Sequence, residues 1–455
     1  MPRKPSALGR VHIVLIPGFV GFDALGQLEY YAGVTPQYQL WKKSRGNNHG
    51  TIALHYFDNF PTAAVRTRAD RLRNYLATRL ARGEFVAGDS IALVGHSTGG
   101  LDIRWLLWEL SKSPKRTFPV DGAVDPESMV TADDILKLIK RVVFLSVPQW
   151  GTNIADWVRS YKLGRQVVVE NLRAGFAGSQ MPIIDTLEEW IWNYASKTTR
   201  MGLVDAVRDV VSEAEAGSSH DPTVVAMAQE AASEVELWLR HIATDFHAID
   251  DLAAQGGAQS PARFDKKRRA EEEDVWKKAG IVTRSYATLG TRPFQFKAGE
   301  PAPRWDLVNP LTYPETTPRT SPSPNTDIIY RIGYRACAGG PFTYHNGHSA
   351  LTAKPFFPAA QRPRSIEVWD NDGIVNTASM FWPNGKDTLL VHCDHLDIVG
   401  HYHDVRSADK DSPRIFQAYD LLKSDSGFDA AGFARVWNDV FDFCVSGSGS
   451  TSRRR

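Results

Sequence analysis

The sequence predicts an α/β fold: a mostly parallel central sheet flanked by helices, with a large helical insertion. Three observations carry that prediction. Short apolar runs rich in Val, Ile and Leu recur between segments of helical periodicity, the pattern of strands buried on both faces of a parallel sheet. One of these runs, residues 91–94, leads through a glycine-flanked serine straight into a helical pattern. A long region, residues 153–280, keeps three-and-four apolar spacing with no comparable strand, which places a cap between strands.

In chain order, residues 1–10 are polar and basic and read as a flexible start. Residues 11–16 (VHIVLI) are the first strand, ending in Pro17-Gly18-Phe19-Val20-Gly21-Phe22. Residues 51–57 form a second strand, and 63–82 an arginine-dense helix whose charges are expected to face solvent. After 91–94 the next helix puts Leu101, Trp105 and Trp108 on one face. A polar loop over 111–126 leads to a strand at 141–147, closed by Pro148-Gln-Trp-Gly-Thr152. Within the insertion, 183–194, 204–216 and 222–254 read as helices, and the charge block 266–274 as an exposed helical turn. Strands follow at 281–289, 365–369 and 388–393, and helices at 414–424 and 429–444. The domain plan is thus a core of 11–152 and 281–445 around a cap of 153–280. An irregular Pro-, Thr- and Ser-rich excursion spans 298–324, and 446–455 is a disordered tail.

Composition narrows the function classes. A net charge of +1 with 23% charged and 42% hydrophobic residues describes an ordinary globular enzyme-sized chain and gives no footing for nucleic acid. No apolar span reaches the roughly eighteen residues a transmembrane helix needs. The apolar run at 11–16 is too short for a signal peptide, so a cytoplasmic location is expected, with unconventional export left open. Cys337, Cys393 and Cys444 are odd in number and far apart, which sets no metal spacing and no disulfide framework.

Gly95-His96-Ser97-Thr98-Gly99 fits the strand-to-helix turn that exposes a strained serine nucleophile, with glycines where strand and helix pack closest. A serine hydroxyl needs a histidine to take its proton and a carboxylate to orient that histidine, in the chain order serine, acid, histidine. Ser97, Asp372 and His395 satisfy the order, with Asp370 as rival acid two residues earlier. The backbone N–H groups of Thr98 and Phe19 are the candidate oxyanion hole: one follows the nucleophile, the other lies on the loop after the first strand. His96 reads as packing. The density of His392, Asp394, His395, Asp397, His401, His403 and Asp404 matches no zinc spacing and is not taken for a catalytic metal site. The insertion is a lid over an apolar pocket or a purely structural cap.

These words resemble those of α/β-hydrolase lipases, in particular bacterial triacylglycerol lipases of the thermoalkalophilic Bacillus type. They are Leu15-Ile-Pro-Gly-Phe-Val-Gly-Phe22, Gly95-His-Ser-Thr-Gly-Gly100, Val147-Pro-Gln-Trp-Gly-Thr152, Asp251-Leu-Ala-Ala-Gln-Gly-Gly-Ala258, Asn371-Asp-Gly-Ile-Val-Asn-Thr-Ala-Ser-Met380 and Asp394-His-Leu-Asp-Ile-Val-Gly400, over residues 11–400. The resemblance implies Asp372 and His395 as acid and base and demotes Asp370. It implies hydrolysis of acylglycerols or related lipid esters through an acyl-serine, with no required cofactor and a helical lid that contacts a lipid surface transiently. The same triad would also suit a phospholipase or acyltransferase, and the fold alone a non-catalytic lipid-binding protein. The family's zinc-bearing insertion has no counterpart between 82 and 91, so zinc is not expected. Its calcium position two residues after the histidine corresponds to Asp397, leaving room for a structural calcium, although the second acidic position falls near Tyr402, with Asp404 close by.

Overall fold

The computed structural model describes residues 9–19, 21, 24–25, 28–45, 52–118, 129–160, 245, 247–253, 266–293, 326, 328–339, 351–353, 355–357, 364–383, 387–402 and 420–446. Seven strands build one sheet: β1 Val11–Ile16, β2 Ile52–Tyr56, β3 Ser90–His96, β4 Ile139–Leu145, β5 Val282–Leu289, β6 Pro355–Phe357 and β7 Leu389–His392. Their spatial order is β6-β7-β5-β4-β3-β1-β2, and every neighbouring pair is parallel. Nine helices accompany them among the described residues: α1 Val34–Arg45, α2 Val65–Ala81, α3 Thr98–Lys112, α4 Ala132–Leu138, α5 Asn153–Ser160, α6 Ala248–Leu252, α7 Lys266–Ala279, α8 Ile328–Gly339 and α9 Ala430–Val445. A parallel sheet with helices on both faces and the glycine-flanked serine at the end of β3 is the α/β-hydrolase fold.

Alternation along the strands divides the core into two layers. Val11, Ile13 and Leu15 of β1, with Ala92 and Val94 of β3, face α1 and α9, where Tyr38, Trp41, Trp437 and Phe441 meet them. Val14 and Ile16, with Ile91 and Leu93, face α2, α3 and α7. Both faces being covered explains why these strands read as unbroken apolar runs. Replacing a fully buried residue such as Leu107 with Ala would cost about 2–5 kcal/mol. Helix α9 begins where the Asp429 carboxylate accepts the Gly432 N–H at 2.8 Å, and it turns Phe433, Val436, Trp437, Val440 and Phe441 inward at three-and-four spacing.

Several elements depart from expectation. Residues 364–366 do form a strand, but it pairs antiparallel with Leu351–Ala353 outside the main sheet. The short edge strand β6, opened by a proline, carries too little pattern to be recognised. Residues 420–424 are irregular rather than helical. The charge block opens α7, which is not merely exposed: Glu272 is buried on Arg104 at 3.0 Å, and Trp276 packs on Phe144 at 6.0 Å between ring centroids. Helix α7 therefore belongs to the core layer, and the core resumes before residue 281. Likewise the arginine helix is not a wholly solvated face, since Arg68 is completely buried.

The described residues on either side of the segment read as a cap meet beside the sheet edge. Thr152 follows β4, α5 starts at Asn153, and the chain is back at α6, where the Thr152 N–H donates to Leu252 O at 2.8 Å and the Ala248 N–H to Thr62 O at 3.0 Å. The expected helices at 183–194 and 204–216, most of 222–254, the excursion 298–324 and the terminal segments 1–8 and 447–455 lie outside the described residues.

Candidate active site

Because all seven strands run the same way, their C-terminal ends share one edge, and the register aligns Ile16 with Gly95 and His96 with Leu145 there. Ser97 sits at that edge between β3 and α3 with φ 52° and ψ −127°, a left-handed backbone costing about 1–3 kcal/mol for a residue with a side chain. Packing holds it there. The Ser97 N–H donates to Leu145 O at 2.9 Å, and the Gly100 N–H to Ser97 O at 3.0 Å. A Cβ on Gly95 would lie 2.7 Å from Gly100 N, the close strand-helix approach the motif predicts. One on Gly99 would instead meet Ile16 O of β1 at 2.5 Å, so this glycine serves the neighbouring strand.

Asp372 and His395 meet: Nδ1 of His395 lies 2.8 Å from Oδ2 of Asp372, with both side chains almost fully buried. A carboxylate oxygen can only accept, so the proton is on Nδ1 and Nε2 is left bare as the basic atom. The other carboxylate oxygen accepts the Ile374 and Val375 N–H groups at 3.0 and 2.7 Å. Thr288, near the end of β5, adds its hydroxyl to Oδ2 at 2.5 Å, with the Ser146 hydroxyl 2.9 Å behind it. Asp372 thus reaches the sheet edge through β5 rather than from a strand of its own. The rival Asp370 is engaged elsewhere, in a two-pronged pair with Arg292 at 2.7 Å for each bond. His395 is set against the residue before Ser97, its ring 4.7 Å from that of His96. No hydrogen bond joins Ser97 Oγ to His395 among the described residues, a bond that in substrate-free enzymes is often long.

Thr98 follows the serine at the start of α3, and Phe19 lies on the loop after β1. A Cβ on Gly18 would stand 2.7 Å from Ser97 Cβ, so the loop after β1 lies directly over Ser97. Its orientation comes from Arg68, which is fully buried rather than facing solvent. The Arg68 guanidinium donates to Pro17 O at 2.8 Å and Gly18 O at 3.1 Å while holding Asp102 at 3.0 Å. In a trans peptide the N–H points opposite to the C=O, so fixing Gly18 O toward Arg68 turns the Phe19 N–H the other way. Burial pushes Asp102 up to about 6, with Arg68 pulling it back down.

Neither a family model nor a curated protein matches the chain. Solved structures do resemble it at low identity. It is similar to EstA from Clostridium botulinum, at 15% identity over 95% of this chain and 89% of that one, with a TM-score of 0.40. It is similar also to lipase 1 from Pelosinus fermentans, at 17% identity over 91% and 97%, with a TM-score of 0.39. Phospholipase PlaB from Legionella pneumophila matches at 11% identity over 62% and 39%, with a TM-score of 0.28. Likenesses this distant carry no substrate, and the fold assignment rests on the strand order and the elbow.

Beside His395 lies a group of acids. Oxygens of Asp394, Asp397 and Asp420 all fall within 4.8 Å of one another. Burial and the neighbouring carboxylate of Asp420 push Asp394 up to about 7, and burial with Asp394 raises Asp397 strongly. Backbone N–H groups and the Ser424 and Ser426 hydroxyls hold the carboxylates at 2.7–3.0 Å, but these donors do not cancel charge. An all-oxygen, crowded set of two buried and one half-buried carboxylate could hold a hard divalent cation such as calcium. Of the two positions the resemblance suggested, Asp397 is in this group. Tyr402 is not: its ring packs on Phe428 and Phe433, while Asp404 lies outside the described residues. The other two acids of the group are Asp394 and Asp420. Cys337, Cys393 and Cys444 are buried free thiols. No helix among the described residues is long and apolar enough to cross a membrane.

Proposed function

We propose that this chain hydrolyses carboxylic esters of lipids through an acyl-serine intermediate. The observation that carries the reading is the strained Ser97, held at the C-terminal edge of β3 beside the hydrogen-bonded Asp372–His395 pair. In the first half-reaction Ser97 Oγ attacks the ester carbonyl and gives its proton to Nε2 of His395. Asp372 stabilises the resulting imidazolium through Nδ1, and the Phe19 and Thr98 amides receive the charge that develops on the carbonyl oxygen. The imidazolium returns the proton to the departing alcohol. Water then attacks the acyl-serine by the same route and releases the acid, so the balance is ester plus water to acid plus alcohol.

Acylglycerols are the proposed substrate class. The motif resemblance supports it, as does the insertion, which leaves after α5 and returns at α6 beside the same sheet edge. A lid there would touch a lipid surface transiently. The triad needs no cofactor. We further assign Asp394, Asp397 and Asp420 as the residues that would hold a calcium, whose contribution would be to neutralise the turn carrying His395, not to take part in acyl transfer.

The test is hydrolysis of nitrophenyl esters and of a chain-length series of acylglycerols by purified protein and by Ser97→Ala. The variant should lose several orders of magnitude in kcat while keeping its fold. Unchanged hydrolysis by the variant would overturn the assignment.

A further inference from the structure

His96 reads from sequence as a packing residue, yet its ring touches both halves of the site. The Gly18 N–H, on the oxyanion loop, donates to the Tyr30 hydroxyl oxygen at 2.8 Å. That oxygen lies 2.6 Å from Nδ1 of His96. On the far side of the ring, Nε2 of His96 lies 2.9 Å from the carbonyl oxygen of His395. All these groups are buried.

The proton positions follow from donor capacity. A carbonyl can only accept, so His96 carries its hydrogen on Nε2. Burial, together with the neighbouring His395 ring, pushes His96 well below the usual imidazole range, which keeps the ring neutral and Nδ1 bare. Tyr30 then donates its hydroxyl hydrogen to Nδ1, and its oxygen accepts from Gly18. Each donor thus has one acceptor in a single directed chain: Gly18 N–H to Tyr30, Tyr30 O–H to His96, His96 N–H to His395 C=O.

The two ends of the chain are the two parts that must stay in register. Gly18 immediately precedes Phe19, whose amide is the proposed oxyanion donor, and its carbonyl is already fixed by Arg68. At the other end, the His395 backbone is held on both sides, since its own N–H donates to Asp372 O at 3.1 Å. A second strap runs alongside, from Nε2 of His401 to the backbone carbonyl of Tyr30 at 3.2 Å.

Resting on the acyl-serine reading above, we propose that Tyr30 and His96 are positioning residues. They tie the oxyanion loop to the loop of the general base, so that the Phe19 amide and the His395 ring address the same carbonyl across Ser97. Acyl transfer needs both groups placed on one tetrahedral carbon, and misplacement of about 1 Å costs on the order of 10²-fold in rate. Both side chains are buried beneath the site.

The experiment compares full-length wild type, Ser97→Ala, Tyr30→Phe, His96→Phe and His96→Gln on a soluble nitrophenyl ester, with the folded fraction read from thermal melts. Tyr30→Phe and His96→Phe should lower kcat by about 10- to 100-fold with KM within about twofold of wild type. His96→Gln, whose side-chain amide can still donate where Nε2 did, should recover part of that loss. A residue that merely packs would show rates that follow the folded fraction. Full kcat per folded molecule in Tyr30→Phe and His96→Phe would overturn the proposal while an active wild type and inactive Ser97→Ala leave the serine reading standing. A wild type inactive on every ester would end both.

Discussion

The two sides of Ser97 are held by different electrostatics. On the oxyanion side, Arg68 and Asp102 are both fully excluded from water and paired at 2.9 Å, so one carboxylate is matched by one guanidinium that also grips the Pro17 and Gly18 carbonyls. On the acid–base side, Asp372 leans on amides, a hydroxyl and an imidazole, and nearby Asp394, Asp397 and Asp420 crowd one another. The difference teaches that one side is locked by compensated charge. On the other, burial and crowding raise the carboxyls of Asp394 and Asp397.

The largest effect is expected where the crowded acidic side meets the chemistry. Asp372→Asn keeps the shape of the side chain but presents the wrong partner to Nδ1, and kcat should fall by about 10⁴-fold with KM little changed, measured on a soluble ester. An effect under tenfold would mean that Asp372 does not orient His395.

Breaking the compensated side should act first on stability. Arg68→Met strands Asp102 as a lone buried charge and should cost about 3–5 kcal/mol in denaturant unfolding. Arg68→Met combined with Asp102→Leu should regain much of that loss while the oxyanion loop stays loosened. Equal losses in the single and double variants would show that the pair is not the source.

A smaller effect separates the sides by pH. Asp394 and Asp397 are raised in the folded chain, so the folded state binds protons more tightly than the unfolded state. The stability penalty is absent below the unfolded carboxylate range and grows as pH rises through the folded value of about 7. Chelated protein should therefore melt at a higher temperature near pH 5 than near pH 8, and added calcium should raise the melting temperature most at pH 8. A calcium effect independent of pH, or none, would remove the ion from this account.

How far the sequence could be read depends on the range of the interactions. The elbow was legible because its constraints span five residues, from Gly95 to Gly99, and the strands β1, β3, β4, β5 and β7 because burial on both faces leaves plain apolar runs. Chain order pointed to Asp372 and His395 but left Asp370 as a rival acid, which only the motif resemblance demoted. Arg68 was misplaced because helical periodicity cannot tell an arginine facing solvent from one facing a buried Asp102 thirty-four positions away. Glu272 was misread inside a charge block for the same reason, its partner Arg104 lying on another helix. The strand at 364–366 was read correctly as extended, but nothing local says which sheet it joins. Tyr30 and the Asp394–Asp420 approach are tertiary facts with no spacing to announce them.

One measurement bears most directly on the central claim. Full-length protein treated with a fluorophosphonate and mapped by peptide mass spectrometry should carry a single adduct on Ser97, formed slowly in Asp372→Asn and missing in Ser97→Ala. Ser146 is the control the fold supplies: it too is buried at a strand end with a positive φ, 51°, but it stands behind Thr288. An adduct on Ser146, or none on Ser97, would contradict the account.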